Sequence, residues 1–123
     1  MSKLTQSAAW QALEAHYNDI QPLRMRQMFL DDPARFDRFS LRIDKILFDY
    51  SKNRINSETI RLLVALAEQA GLQSGIERMF SGEKINSTEH RAALHTALRN
   101  RSGRPVQADG KDVMPDIRRV LGL

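Results

Sequence analysis

Two histidines, two acids and two bases lie close together in the stretch from Met79 to His95, which reads MFSGEKINSTEHRAALH. Side chains of these types perform general acid–base catalysis when several of them converge on a cleft. A catalytic histidine also needs an orienting carboxylate or a nucleophile nearby, and the sequence around His95 contains neither at a characteristic spacing. We therefore predict a structural role for His95.

The other residues with catalytic potential complete no known signature. Glu89 and His90 lack the H-E-x-x-H order of zinc proteases, and the chain contains no Walker loop, GxGxxG or GxSxG motif. His16 has acids nearby, but not at a ligand spacing. The absence of cysteine excludes disulfides, thiolate chemistry and cysteine-type metal sites. The sequence thus predicts no catalytic residue, no cofactor site and no metal site.

We expect the stretch from Met79 to His95 to contain the end of one helix and the start of another. Gly82 follows a short apolar pattern and is placed to end one helix. Asn86, three residues before Glu89, resembles the capping box that begins a helix. In that second helix Arg91, His95 and Arg99 would share one face, because residues four apart are neighbours on a helix surface.

Arginines accumulate in the same region. The net charge is +4, and residues 90–108 contain no acid, while the segment carries Arg91, Arg99, Arg101 and Arg104. Such a run either attracts a polyanion or forms a solvated face that meets acids elsewhere in the fold. No aromatic residue is interleaved with these arginines, which argues against binding of single-stranded nucleic acid. A basic helical module that binds a polyanion is therefore the alternative hypothesis.

The rest of the chain is predicted as helices. The first helix would be capped by Ser7 or Thr5 and followed by Pro22, and the next would have a face of Met25, Met28 and Phe29. A short helix capped by Asp32 would have Pro33 in its first turn and would bury Phe36 and Phe39. Further on, a helix capped by Ser57 and ended by Gly71 would have a face of Ile60, Leu63, Val64 and Ala67, and a last helix would contain Ile117, Val120 and Leu121.

Residues 41–50 break the helical pattern. Their apolar residues nearly alternate, which indicates two short strands around a turn near Asp44 and Lys45. The fold class is therefore α+β, mainly helical, with one short β-hairpin. A two-stranded hairpin is marginal alone and needs other elements to cover it.

Bulk properties fit a folded, soluble protein. The 123 residues are 41% hydrophobic and 28% charged, a balance typical of a globular domain. The N-terminus lacks the hydrophobic core of a secretory signal, and no run approaches the roughly 20 apolar residues that span a bilayer. We expect a cytoplasmic protein without membrane contact.

Four segments in order resemble one enzyme family. They are FDYSKNRI at residues 48–55, MFSGEKIN at 79–86, TEHRAALHTALRNR at 88–101 and DGKDVMP at 109–115. Together they are similar to the N-terminal part of glucose-6-phosphate isomerase (phosphoglucose isomerase), and TQSAAWQAL at residues 5–13 also resembles bacterial members. The resemblance covers nearly the whole chain.

The resemblance implies an α/β enzyme with two sugar-isomerase-type subdomains that interconverts glucose 6-phosphate and fructose 6-phosphate. The family moves a proton between C1 and C2 through an enediol, with a glutamate base, a histidine and a lysine for ring opening, and a Ser/Thr-rich loop for the phosphate. It uses no cofactor. The intact enzyme is a homodimer with active-site residues from both subunits.

This sequence departs from the family in length. Family members have several hundred residues, and the catalytic groups and the phosphate loop all lie downstream of the part that residues 1–123 resemble. No family site residue maps onto this chain. We therefore expect residues 1–123 to be an N-terminal segment that is inactive alone. We also expect it to be less stable than a natural domain of its size, or to self-associate.

Overall fold

A computed structural model describes residues 4–122. The chain divides into two units, Met1–Ala70 and Gly71–Leu123. Helices dominate, and two antiparallel strand pairs accompany them, which confirms the α+β, mainly helical class. None of the helices within the described residues is long and apolar enough to cross a bilayer.

The first unit opens with a short 3₁₀ turn, Leu4–Gln6, and continues with four helices and two strands. These elements are α1 (Ala8–Ile20), α2 (Met25–Asp31), α3 (Arg35–Arg38), β1 (Ser40–Ile43), β2 (Ile46–Asp49) and α4 (Ser57–Gln69). The Ser7 side chain accepts a hydrogen bond from the Trp10 backbone N–H, so Ser7 is the N-cap of α1.

Helix α4 is capped by Asn56, one residue before the predicted Ser57. The Asn56 side chain accepts from the Thr59 backbone N–H, and the Thr59 hydroxyl accepts from the Asn56 backbone N–H. This reciprocal pair satisfies two donors that a helix start leaves free. His16 on α1 lies 2.8 Å from the same Thr59 hydroxyl, so the cap also ties α1 to α4.

The predicted apolar face of α4 was wrong in part. Thr59 and Leu62 are the buried residues, whereas Leu63 is 42% and Val64 52% exposed. The reason is that α1 packs on a different side of α4 from the predicted face. This side carries Thr59 and, ten residues further along, Gln69. The Gln69 side chain accepts from the Ala9 backbone N–H of α1.

The predicted start of α3 was also wrong. Asp32 ends α2, and α3 begins at Arg35 after Ala34, because Pro33 and Ala34 form a turn in which the Arg35 N–H donates to the Asp32 carbonyl. Of the two rings expected inside, Phe39 is buried and Phe36 is 42% exposed.

The hairpin is confirmed, with Asp44 and Lys45 in its turn. Its register pairs Leu41 with Phe48 and Ile43 with Ile46, and directly opposed residues of antiparallel strands share a face. One face of the hairpin is therefore built from four large apolar side chains. Arg42, paired with Leu47, lies on the other face.

The second unit has three helices and one hairpin. The sequence pattern did not predict this hairpin. The elements are α5 (Leu72–Phe80), α6 (His95–Leu98), β3 (Gln107–Ala108), β4 (Lys111–Asp112) and α7 (Met114–Leu121). Gly71, with φ of 72°, separates α4 from α5, as expected for a left-handed helix end. Asp109 and Gly110 connect β3 to β4, and Pro115 lies in the first turn of α7.

Few apolar side chains are fully enclosed. The buried hydrophobic residues among those described are Met28, Phe39, Leu62, Ala97 and Met114. Many more large apolar residues are exposed, including the whole apolar face of the β1–β2 hairpin. Burial of apolar surface is the main stabilising term in folding, so these residues contribute little to stability within residues 4–122.

Candidate functional site

The stretch that contains Asn86 and Glu89 forms a turn, and the predicted helix start at Asn86 was wrong. Asn86 and Arg91 form a β-bridge through two backbone hydrogen bonds of 3.2 and 3.3 Å. The Asn86 carboxamide oxygen does accept from the Glu89 N–H, as in a capping box. However, His90 has φ of 53°, a left-handed conformation that turns the chain back instead of continuing into a helix.

The arginines consequently do not share a helix face. Arg91 lies in the bridge, and α6 contains only His95–Leu98. Arg99 follows α6 and donates to the His95 carbonyl at 3.1 Å, while Arg101 and Arg104 lie in the loop beyond. The structure thus brings together three of the four predicted arginines, Arg99, Arg101 and Arg104, but through a loop.

Asn100 and Ser102 organise this loop. The Asn100 carboxamide oxygen accepts from both the N–H and the hydroxyl of Ser102, at 2.9 and 2.6 Å. The Asn100 amide donates to the Arg104 carbonyl at 2.8 Å, and the Arg104 N–H donates to the Ser102 hydroxyl. Such Asx turns hold a loop in one conformation without a regular element.

The loop borders an open groove of about 610 Å³. Its lining residues are Phe80, Thr96, Arg99, Asn100, Arg101, Ser102, Arg104, Pro105 and Val106. No carboxylate is among them, and within residues 4–122 none of these three arginines forms an ion pair. The groove is positively charged and open to solvent. It can attract an anion, but it offers no acid–base pair for a reaction.

The three histidines do not form a catalytic group. His16 bonds to the Thr59 hydroxyl in the first unit, His90 lies in the turn after Asn86, and His95 is exposed at the start of α6. In the described part of the chain, no histidine has a carboxylate within ion-pair distance, and no three His, Asp or Glu side chains gather as a metal site would require.

Sequence reasoning missed a buried polar cluster that is centred on Arg35. Only 2% of Arg35 is exposed. Its guanidinium donates to three backbone carbonyls, those of Ser51, Asn53 and Ile55, at 2.7 to 2.8 Å. It also lies over two rings, 4.7 Å from the centroid of Phe39 and 5.6 Å from that of Phe29. No sequence spacing signals this cluster, because the partners lie 16 to 20 residues away.

The Arg35 cluster gives the segment FDYSKNRI a structural role. Arg35 binds its carbonyls, and the Asp49 carboxylate accepts from the hydroxyl and the N–H of Ser51 at 2.7 and 2.9 Å. These two hydrogen bonds from Ser51 lower the pKa of Asp49 below its usual 3.8. The Asp49 and Ser51 side chains and three carbonyls of this segment therefore fix the backbone after the hairpin.

The segments MFSGEKIN and DGKDVMP also support each other. Gly82 has φ of 81°, and a Cβ at this position would clash with the Gln107 carbonyl oxygen, so only glycine fits. Lys84 pairs with Asp109 at 2.7 Å. The Asp112 carboxylate accepts from the N–H groups of Val106 and Met114, which joins the β3–β4 hairpin to α7.

Comparison with known proteins identifies relatives across the chain. The family model for phosphoglucose isomerase matches residues 49–122. A glucose-6-phosphate isomerase of Methylococcus capsulatus is 56% identical over 121 residues, which is 98% of this chain and 22% of the relative. One from Gloeobacter violaceus is 53% identical over 118 residues, which is 96% of this chain and 22% of the relative. The chain thus spans about a fifth of the length of the curated relatives it matches.

Proposed function

The chain belongs to the phosphoglucose isomerase family, and we propose that it is the N-terminal segment of a longer glucose-6-phosphate isomerase. One observation carries this proposal. The similarity to the Methylococcus capsulatus enzyme extends over 98% of this chain but only 22% of that enzyme. A segment of this kind contributes to the fold of the enzyme, and the remaining polypeptide supplies the groups that react.

The whole protein would interconvert glucose 6-phosphate and fructose 6-phosphate, a step shared by glycolysis and gluconeogenesis. The proton moves between C1 and C2 of the open sugar through an enediol, so the reaction needs a base and ring-opening groups around one cleft. In the family these groups are a glutamate, a histidine and a lysine downstream of the present residues. We further propose that the whole enzyme is a cytoplasmic homodimer that needs no cofactor.

Residues 1–123 alone are proposed to be inactive, with no catalytic or substrate-binding residue among them. The described histidines lack carboxylate partners at ion-pair distance, and the arginine groove contains no base. Several polar groups of the family segments contact backbone: Asp49 accepts from the Ser51 N–H, and Asp112 accepts from the Val106 N–H. These contacts support a structural role for the segment.

The polyanion-binding hypothesis is less favoured. Three of its four arginines, Arg91, Arg99 and Arg101, belong to TEHRAALHTALRNR, a segment that lies inside the region matched to the isomerase family, and Arg104 lies inside the same matched region. Family membership therefore accounts for the presence of this segment without a separate binding function. The charge hypothesis, by contrast, accounts for neither FDYSKNRI nor DGKDVMP.

The test compares two proteins in a coupled isomerase assay. One is the isolated chain, and the other is a chimera in which this chain replaces the matching segment of the Methylococcus capsulatus enzyme. We expect turnover from the chimera and none from the isolated chain. A folded but inactive chimera would contradict the proposed function. Turnover by the isolated chain that a His95→Ala substitution abolishes would contradict the proposed inactivity.

A second measurement concerns the native polypeptide. Its mass in the source cells, detected through the peptide MFSGEKIN, should be several times the 14.1 kDa of this chain, since the relatives are more than four times as long. A native product of 14.1 kDa would show that the cell makes the short form. The similarity to isomerases would then reflect common ancestry and not isomerase activity.

A further inference from the structure

The β1–β2 hairpin presents an uncovered apolar face. Leu41 and Phe48 are opposed, as are Ile43 and Ile46, so these four side chains lie on one face. They are 54%, 59%, 69% and 69% exposed, respectively. A contiguous apolar face of this kind on a small protein marks a surface that another element covers.

The base of the hairpin is held in a fixed position. The Tyr50 N–H donates to the Phe39 carbonyl at 3.0 Å, and the ring of Tyr50 packs against Phe39 and Phe48. Arg35 binds the carbonyl of Ser51 immediately beyond. The base of the hairpin is therefore anchored to the rest of the first unit, which presents the apolar face in a defined orientation.

We propose that this apolar face docks against the part of the isomerase polypeptide that lies outside residues 1–123. The proposal rests on the proposed function, and it identifies the surface through which this segment joins the enzyme. The hairpin is a two-stranded sheet, which is marginally stable at best without a covering element. About four fifths of the length of the curated relatives lies outside the present segment, so a covering element is available in the same polypeptide.

Covalent connection favours this occupant over a second copy of the chain. A surface on the same polypeptide is met at an effective concentration in the millimolar range, whereas a second copy must be met from solution. The occupant should be apolar, because Leu41, Ile43, Ile46 and Phe48 offer it no hydrogen-bonding side chain. The apolar face of a helix or of a sheet in the remaining polypeptide would meet this requirement.

Photo-crosslinking in the chimera tests the proposal. A benzophenone amino acid is placed at Ile43, on the apolar face, or at its neighbour Arg42, which lies on the opposite face. After illumination, mass spectrometry locates the crosslinked peptides. We expect Ile43 to link to peptides beyond position 123 of its own polypeptide, with a much lower yield from Arg42.

Three outcomes would overturn the proposal. They are a link from Ile43 to residues 1–123, a product of twice the subunit mass that shows docking on a second copy, and equal yields from Ile43 and Arg42.

The Ile43→Lys chimera adds an independent readout. It should melt several degrees below the parent, while Arg42→Ala should not, and equal melting temperatures would also contradict the docking. Isomerase turnover by the parent chimera is measured separately, so failure of the proposed function is distinguishable from failure of the docking surface.

Discussion

Arg35 and the arginines of the groove carry the same side chain in opposite surroundings. Arg35 is 2% exposed, satisfies three backbone carbonyls and lies over two rings. Arg101 and Arg104 are exposed, and neither forms an ion pair among the described residues. In the sequence the groove arginines attract attention because they are clustered, whereas Arg35 does not. The comparison shows that the partners of a charged group, rather than its neighbours in sequence, decide what it contributes.

Arg35 reaches its position without a carboxylate partner at ion-pair distance among residues 4–122. A buried cation needs compensation for the hydration it loses, and here carbonyl dipoles and ring faces provide it. The guanidinium suits this task because its planar fork offers donors in several directions. The cluster thereby joins α3 to the chain that leaves the hairpin.

The largest effect should come from the buried arginine. Arg35→Ala leaves three carbonyls without their donor and opens a cavity between Phe29 and Phe39, so it should lower the free energy of unfolding by about 3–5 kcal/mol. Urea denaturation followed by circular dichroism measures this loss. The matched control is Arg38→Ala, which removes only a partly exposed ion pair with Asp32 and should cost less than about 1 kcal/mol. Equal losses for the two variants would contradict the special role of Arg35.

A second prediction examines the unit that carries the groove. Gly82→Ala should lower the free energy of unfolding by about 2–4 kcal/mol, because it adds both an unfavourable φ and a clash with the Gln107 carbonyl. Gly103→Ala is the control, since Gly103 also has positive φ but no atom within 4 Å of the added Cβ. It should cost only about 1–2 kcal/mol. If Gly103→Ala cost as much as Gly82→Ala, the close approach to Gln107 would have no energetic role.

A pH-dependent effect is expected at Asp49, beside the Arg35 cluster. Hydrogen bonds from Ser51 lower the pKa of Asp49 in the folded state below its usual 3.8. Their stabilisation is therefore present above the unfolded pKa and is lost as the pH falls through the lower, folded pKa. Asp49→Asn should be less stable than the parent at pH 7, and the difference should shrink as the pH falls below 3.8. Urea unfolding over this range measures the difference, which should also decrease in a Ser51→Ala background.

The smallest effect should come from the exposed arginines. Arg101→Ala and Arg104→Ala should each change the free energy of unfolding by no more than about 0.5 kcal/mol, as for surface residues without a partner. The same urea titration measures this. Heparin binding by the isolated chain, if present, should weaken with salt and with both substitutions. A destabilisation as large as that of Arg35→Ala would break the comparison, because it would show that the groove arginines have structural partners.

Two features with a clear local pattern were predicted correctly. The hairpin followed from alternation around Asp44 and Lys45, and the helix end at Gly71 followed from the residue type. Asn86 and Glu89 show the limit of such local signals. Their hydrogen bond is the one a helix start would use, but the same bond also closes a turn, and the φ of His90 decides between the two.

Burial was harder to predict than secondary structure. The periodicity of α4 pointed to Leu63 and Val64, whereas the position of α1 selected Thr59 and Leu62. A helix rich in apolar residues offers more than one apolar face, and only its packing partner selects among them. The expectation that the isolated chain is less stable than a natural domain of its size, or self-associates, stays a prediction, and the exposed hairpin face is the feature that supports it.

The sequence by itself determined most of the helices, the β1–β2 hairpin, the absence of cysteine chemistry and, through four ordered segments, the family. These follow from residue types at short spacing, where backbone preference and periodicity act. Tertiary structure alone decided that Arg35 binds three carbonyls and that Gly82 meets Gln107, because the partners are 16 to 25 residues apart and only the folded chain brings them together. It also decided which arginines lack an ion-pair partner among residues 4–122, since ion pairing depends on the charges that folding places within about 4 Å.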